Sequence, residues 1–259
     1  LDNGKMATGT HIIDHYQYVF DESGNVLSKK AVDIGWVEKN GKRYFYNGAS
    51  QRLGDETAKK VMDVSEHQGH ISNWEGIIKD NDIDAVIVRI GYSGAEDKHL
   101  ANNITELNRL DVPYGIYLYT YAATEADGVK DAEQTIALIK KYNIKPTYPI
   151  YFDIEDWRYK NGTKSAPTDT ATWVKIWNAY RDTMAKAGYT NVRIYSYQYL
   201  LQNRLNTPEI LKYVDWVAAY TPQLKYQLPY SQPSWGWQYT DKEFIPGLGN
   251  VDMSVWFGR

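Results

Sequence analysis

The chain has 259 residues, of which 43% are hydrophobic and 24% charged, a composition that folds and is long enough for one large domain or two smaller ones. Its 29 Lys/Arg against 32 Asp/Glu leave a net charge of -3, which makes nucleic acid a poor partner, and no uncharged apolar run approaches the length of about 18 residues that a membrane-spanning helix needs. Cys is absent, which excludes disulfides, thiolate metal sites and a Cys nucleophile.

Residues 1–54 are repetitive. Asp2-Asn3-Gly4-Lys5-Met6-Ala7-Thr8-Gly9 is followed by Tyr18-Val19-Phe20-Asp21-Glu22-Ser23-Gly24-Asn25-Val26-Leu27 and then by Gly35-Trp36-Val37-Glu38-Lys39-Asn40-Gly41-Lys42-Arg43-Tyr44-Phe45-Tyr46-Asn47-Gly48. Gly4, Gly24 and Gly48 recur at spacings of 20 and 24. Each unit reads as an aromatic strand, a turn at Asn-Gly or Ser-Gly, and a second strand. A lone hairpin of this size cannot bury its own face and needs stacked neighbours. About two and a half copies are present and the first begins in mid-repeat, so the chain is expected to be the C-terminal piece of a longer protein, which also accounts for the missing signal peptide. Asp55-Glu56-Thr57-Ala58-Lys59-Lys60 is short and polar and reads as a linker over residues 55–60.

From residue 61 the rhythm changes. Short apolar strands are expected at 61–65, 85–90, 113–119, 149–155, 192–195, 216–219, 236–239 and 251–254. Helices are expected at Trp74–Lys79, 99–109, 124–142 and 170–187, the third opened by Thr124 with Asp127 three residues on and the fourth closed by Gly188. Strand and helix alternate through most of residues 61–259, the expected catalytic domain. The fold class is therefore α/β, an irregular (β/α) barrel with parallel strands, preceded by a small all-β region of repeated hairpins.

Acids recur at the strand ends: Asp63 on the first, Asp153 and Glu155 on the fourth, Asp252 in the last. In a parallel barrel the C-terminal strand ends share the face that carries the active site. Residues 153 and 155 are two apart on a strand, so their side chains point the same way. Two carboxylates in one pocket push their pKa values apart, and one can keep a proton near neutral pH while the other is ionised. Cleavage of a glycosidic bond needs that pair: an acid for the leaving oxygen and an anion for the oxocarbenium-like centre. A solitary Asp-X-Glu is more often solvated or salt-bridged; here it follows an apolar strand and is surrounded by aromatics. Tyr and Trp, 23 and 9 in number, suit stacking on sugar rings as well as core filling. Tyr117, Tyr119 and Tyr121 alternate on one strand, and Trp157, Tyr195, Tyr220 and Trp237 follow or end others, so a glycan groove lined by several of them is expected. His67 and His70 lack a third ligand, no nucleophile elbow is present, and the Pro246-Gly247-Leu248-Gly249 stretch reads as a turn, so no metal and no cofactor are expected.

The order and spacing of Asp63-Val64-Ser65-Glu66-His67-Gln68-Gly69, Tyr114-Gly115-Ile116-Tyr117, Tyr151-Phe152-Asp153-Ile154-Glu155, Trp216-Val217-Ala218-Ala219-Tyr220, Trp237-Gln238-Tyr239 and Pro246-Gly247-Leu248-Gly249-Asn250-Val251-Asp252 resemble glycoside hydrolase family 25, the lysozymes that cut bacterial cell-wall glycan. The resemblance covers roughly residues 61–257, with Arg89-Ile90-Gly91 and Leu118-Tyr119 as departures. It implies cleavage of the β-1,4 bond from N-acetylmuramic acid to N-acetylglucosamine, with Glu155 as general acid. Asp153 would stabilise the positive centre or orient the substrate acetamido group. Asp63 and Asp252 would tune the pair, and either could position water. Arg89 and Gln238 join the tyrosines and tryptophans as substrate-binding residues. The N-terminal units resemble the aromatic hairpin repeats of choline-binding and glucan-binding cell-wall modules, with Trp36 and Tyr44 at the matching positions and His11 and Tyr18 in the middle repeat. That resemblance implies choline on teichoic acids as a second partner beside peptidoglycan glycan strands, held by cation-π attraction, and a secreted, cell-wall-associated protein. A chitinase-like hydrolase also ends a barrel strand in Asp-X-Glu, but that family carries acids where this chain has Tyr148 and Tyr151. A wall-binding protein without activity is the alternative of another class.

Overall fold

The computed structural model describes residues 5–258 and divides into two compact units, the first comprising the chain up to Ala58 with Thr221–Lys225 and the second Lys59–Tyr220 with the chain from Tyr226 on. Gly4, the first glycine of the repeat pattern, lies outside the described residues.

The first unit holds two antiparallel sheets, β1 (Gly9–Ile13), β2 (Tyr16–Phe20) and β3 (Val26–Ala31), and β4 (Gly35–Lys39), β5 (Lys42–Tyr46) and β6 (Arg52–Leu53). Asp14 and His15 turn β1 into β2 with φ of 47° and 63°, and Asn40 and Gly41 turn β4 into β5 with φ of 55° and 72°. Both turns thus take the left-handed backbone that matches the twist of a two-residue hairpin. Asp21 accepts from the backbone N of Ser23 and Asn25 at 2.9 and 2.8 Å, and Asn47 accepts from those of Ala49 and Gln51, both at 3.0 Å. Gly9 and Gly35, the two turns, and the pair Asp21 and Asn47 all recur at a spacing of 26 residues. The repeat is therefore framed by turn geometry and not by the 20- and 24-residue spacing of Gly4, Gly24 and Gly48. In the true register Tyr18 matches Tyr44, whereas Trp36 is matched by Thr10.

The second unit is a closed eight-stranded barrel. Its strands are β7 (Lys59–Val64), β8 (Ala85–Tyr92), β10 (Tyr114–Tyr119), β11 (Ile150–Asp153), β12 (Val192–Tyr197), β13 (Val214–Ala218), β14 (Trp235–Ile245) and β15 (Gly249–Phe257), with the two-residue β9 (Ala95–Glu96) as an edge on β8. Helices α1 (Trp74–Asp80), α2 (Leu100–Arg109), α3 (Glu125–Lys141), α4 (Thr170–Lys186), α5 (Gln198–Asn203) and α6 (Pro208–Leu211) fill the crossovers. Lys59 and Lys60, read from the sequence as linker, are already strand and pair with Trp256 and Val255. The expectation of parallel strands fails at one place: β15 runs antiparallel to both of its neighbours, β14 and β7.

Aromatics fill the barrel. Trp216 sits at the centre, its ring 5.0 Å from Tyr151, 4.3 Å from Tyr195 and 5.9 Å from Trp256. Val61, Ala85 and Ile87 belong to the same buried cluster. The Trp216 indole N–H donates to Ser254 Oγ at 3.0 Å, so the buried ring keeps its polar end satisfied. Outside the barrel, α3 and α4 approach so closely at Gly128 that a Cβ there would lie 2.6 Å from the Ile176 carbonyl.

Candidate active site

The acidic residues gather in a cleft of about 420 Å³ at the barrel mouth, lined by Asp63, Asp153, Glu155 and Asp252 together with Arg89, Tyr117, Tyr119, Tyr195, Tyr220 and Gln238. Asp63 and Asp153 reach it from the C-terminal parts of β7 and β11. Glu155 lies beyond the last paired residue of β11, yet the backbone alternates: Ile154 is fully buried in the wall while residues 153 and 155 both face the cleft. Asp252 arrives by the opposite route. Because β15 is antiparallel, its early residues lie where the parallel strands end, and Asp252 pairs in register with Asp63.

Gln238 is the hub. Its amide nitrogen donates to Asp63 Oδ2 at 2.9 Å and to Asp252 Oδ2 at 3.5 Å, and its amide oxygen accepts from the hydroxyls of Tyr195 at 2.7 Å and Tyr220 at 2.8 Å. All of its donor and acceptor capacity points at other site residues. Five carboxylates, Asp241 with the four named above, line one cleft and cannot all ionise cheaply. Burial pushes Glu155 up to about 7, and the charge of Asp252 adds to the effect. Asp252 is pushed to about 6, by burial and then by Asp241. Burial and the facing Asp252 hold Asp63 well above the usual carboxylate range, against the amide of Gln238. Asp153 is raised by burial and then by Glu155, while Arg89 pulls it down; its Oδ1 is buried and has no hydrogen-bond partner.

The sequence pattern of glycosyl hydrolases family 25 matches residues 62–248. The chain belongs to that family. Among solved structures, the modular autolysin LytC from Streptococcus pneumoniae, known in complex with a synthetic peptidoglycan ligand, is 55% identical with a TM-score of 0.90, over 98% of this chain and 59% of that one. The chain thus spans less than two thirds of the length of that relative. A family 25 glycosyl hydrolase from Bacillus anthracis (21% identity, 78% of this chain and 89% of that one, TM-score 0.62) and a bacterial lysozyme from Streptomyces coelicolor (21%, 76% and 90%, 0.59) share the barrel fold. No sequence among curated proteins matches the chain.

Within this family 25 barrel, most residues singled out from the sequence meet in one place. Glu155, Asp153, Asp63, Asp252, Tyr117, Tyr119, Arg89, Tyr195, Tyr220 and Gln238 all line the cleft. Two do not. Trp237 is buried, its indole N–H donating to the Ala219 carbonyl at 2.9 Å. Trp237 and Gln238 are neighbours on β14, so only one can face the mouth, and Gln238 does. Trp157 lines a different cleft beside Asp156, Arg158 and Arg204. In the hairpin unit, Arg43 lies 4.7 Å over the Trp36 ring and Arg52 lies 5.3 Å over that of Tyr44. His67 lines the active-site cleft, His70 lies beside His99 with ring centres 6.1 Å apart, and among the described residues no group of three or more His, Cys, Asp or Glu is placed to hold a metal ion.

The sequence reading missed the holder of Arg89. Asp97 is buried and accepts from Arg89 Nε at 2.9 Å and from Glu66 N at 2.8 Å, and Glu66 lies 3.2 Å from Arg89 Nη2. The signal was present: an Arg inside an apolar strand such as 85–90 requires a buried acid nearby. Ser65, Gln68, Asp241 and Asn250 also line the cleft and were not singled out.

Proposed function

We propose that the chain hydrolyses bacterial cell-wall glycan at the β-1,4 bond from N-acetylmuramic acid to N-acetylglucosamine, with Glu155 as the general acid. The observation that carries this reading is the position of Glu155: a carboxyl pushed up to about 7 in the same cleft as Asp153, so that a proton is available near neutral pH. The LytC relative, solved with a synthetic peptidoglycan ligand, supports the substrate class.

In this mechanism Glu155 gives its proton to the glycosidic oxygen as the bond to the anomeric carbon breaks. Positive charge develops on that carbon and faces Asp153. The unpartnered Asp153 Oδ1 accepts the acetamido N–H of the substrate and turns its carbonyl oxygen toward the anomeric carbon, and Arg89 favours the ionised form of Asp153. Glu155, now a carboxylate, takes a proton from the incoming water, which supplies the hydroxyl to the sugar and restores the acid. Asp252, held beside Asp63 by the amide of Gln238, adds its charge to the burial that holds Glu155 protonated.

The hairpin repeats keep the enzyme at the wall outside the cell, raising the local concentration of cleavable bonds. Trp36 pairs with Phe45 and Tyr44 with Val37, so the two rings lie on opposite faces of the hairpin and do not form one cage; choline at Trp36 exchanges with Arg43, one cation for another over the same ring. Choline titration followed by Trp36 fluorescence reads that exchange, and an unchanged signal removes choline as the ligand.

The activity is tested on purified peptidoglycan, digested with the chain and with Glu155→Gln and then reduced with borohydride. Muramitol from the unmodified chain alone is the expected result. Glucosaminitol would move the cut to the other bond. A chain that sediments with the wall and releases no reduced sugar would be a binding protein.

A further inference from the structure

A row of tyrosines leaves the active-site cleft and enters a second one. Tyr119 lines the cleft that holds Glu155. Its ring centre lies 5.1 Å from that of Tyr121, which lies 5.9 Å from that of Tyr159. Tyr121 and Tyr159 line a separate cleft of about 510 Å³, inside the range of about 300–1,000 Å³ usual for ligand sites. Nothing in the hydrolysis described above uses it.

We propose that this second cleft binds the same polysaccharide at a point remote from the scissile bond, so that the enzyme prefers long glycan strands over short ones. The proposal rests on the reading of the active site as a glycan hydrolase. Its chemistry fits a pyranose chain. Sugar rings present flat C–H faces with polar rims, and the cleft offers tyrosine rings together with Asp127, Lys130 and Lys164. Tyr159 is 40% exposed, a large ring left open beside these groups. Of the acids that line the cleft, Glu96 is paired with Lys141 and Asp131 is buried against Thr120 and Ser93, so little net charge faces an occupant, which suits a sugar chain over a charged peptide.

The floor is fixed before any ligand arrives. Asp131 accepts from Thr120 Oγ1 at 2.6 Å and from Ser93 Oγ at 2.9 Å, and Ser93 Oγ accepts from the backbone N of Tyr121 at 2.7 Å. Gln134 accepts from Gly94 N at 2.7 Å and donates to the carbonyls of Tyr92 and Ala95 at 3.1 and 2.8 Å. Side chains planted on α3 therefore clamp both the β8–β9 turn and the segment that carries Tyr121. Such a preformed surface loses little ordering entropy on binding. The tyrosine row gives continuity, since a strand seated in the active site passes from Tyr119 to Tyr121 without leaving an aromatic surface.

The test uses peptide-free glycan strands of two lengths, one confined to the active site and one able to reach Tyr159, with kcat and KM measured for the full chain and for Tyr159→Ala. The unmodified chain is expected to favour the long strand, and Tyr159→Ala to raise KM for that strand by up to about tenfold. Tyr159→Phe keeps the ring and is expected to keep the preference. Cleavage without length preference, or a preference that survives Tyr159→Ala, overturns the second cleft and leaves the hydrolase reading standing. A preference that appears only on peptide-bearing glycan also overturns it, in favour of the peptide. If the unmodified chain cleaves neither strand, the hydrolase reading itself fails.

Discussion

Replacing Asp252 by Asn probes how the cleft keeps Glu155 protonated. Burial and the charge of Asp252 together lift Glu155 from an ordinary 4.5 to about 7, a difference worth about 3.4 kcal/mol between its two protonation states. At pH 7 about half of the molecules then carry the acid, and activity falls about tenfold for each pH unit above that. Burial is the larger of the two causes and the substitution leaves it in place, so the charge of Asp252 accounts for less than half of the lift. The basic limb of the kcat/KM profile is therefore expected to move to lower pH by less than about 1.2 units. The side-chain amide introduced by Asp252→Asn would still present an oxygen to the amide of Gln238, so folding is retained, which circular dichroism checks. The assay is release of reducing ends from soluble peptidoglycan across pH 4 to 9. A basic limb that stays in place or moves to higher pH would refute the reasoning, because it would mean that the titrating acid does not sense Asp252.

Three further outcomes can be measured. Gln238→Met keeps the volume of the hub and removes its polar ends, leaving the buried Tyr195 hydroxyl without a partner and Asp63 without its amide donor, at about 1–3 kcal/mol per buried group; a drop in the denaturant midpoint and a large loss of turnover are expected. Asp131 is raised by burial to about 6 from 3.8, so the folded chain binds more protons than the unfolded one between those values; its contribution is fully present below pH 3.8 and lost as pH rises through 6. Asp131→Asn removes the ionisation and is expected to raise Tm at pH 8 more than at pH 4, by up to about 3 kcal/mol in stability, and an equal shift at both would contradict the assignment. Gly128→Ala sets a methyl against the Ile176 carbonyl and should destabilise by about 1–3 kcal/mol through forced separation of α3 and α4, read as a lower urea midpoint.

The long helices and the buried strands were legible because each carries its own local signal. Thr124 and Asp127 form the capping box that opens α3, and Gly188, with a φ of 92°, follows the end of α4. The acids were legible as strand ends, and their meeting follows from barrel closure. Two kinds of information were not local. The direction of β15 depends on the short Pro246-Gly247-Leu248 turn, where Leu248 N bonds back to the Ile245 carbonyl and makes a hairpin in place of a crossover helix. The repeat register depends on φ at Asp14, His15 and Asn40, which frequent glycines obscured. Trp157 and Trp237 were misplaced for one shared reason: an indole is as useful against a wall as against a sugar, and only the alternation on β14 could have separated Trp237 from Gln238.

The antiparallel strand β15 also bears on the order in which the molecule becomes an enzyme. It is the last barrel strand and it lies between β14 and β7, the first barrel strand, so the sheet cannot close until it is inserted. Asp63 and Asp252, which face one another across that seam, are separated by 189 residues of sequence. Contacts of such range are slow to form, because the loop they close must be ordered first. A chain that stops short of β15 lacks Asp252, and with it the charge that helps hold Glu155 protonated. The last strand thus completes the cleft: the sheet closes, and Asp252 comes to face Asp63, only with the final stitch of the barrel.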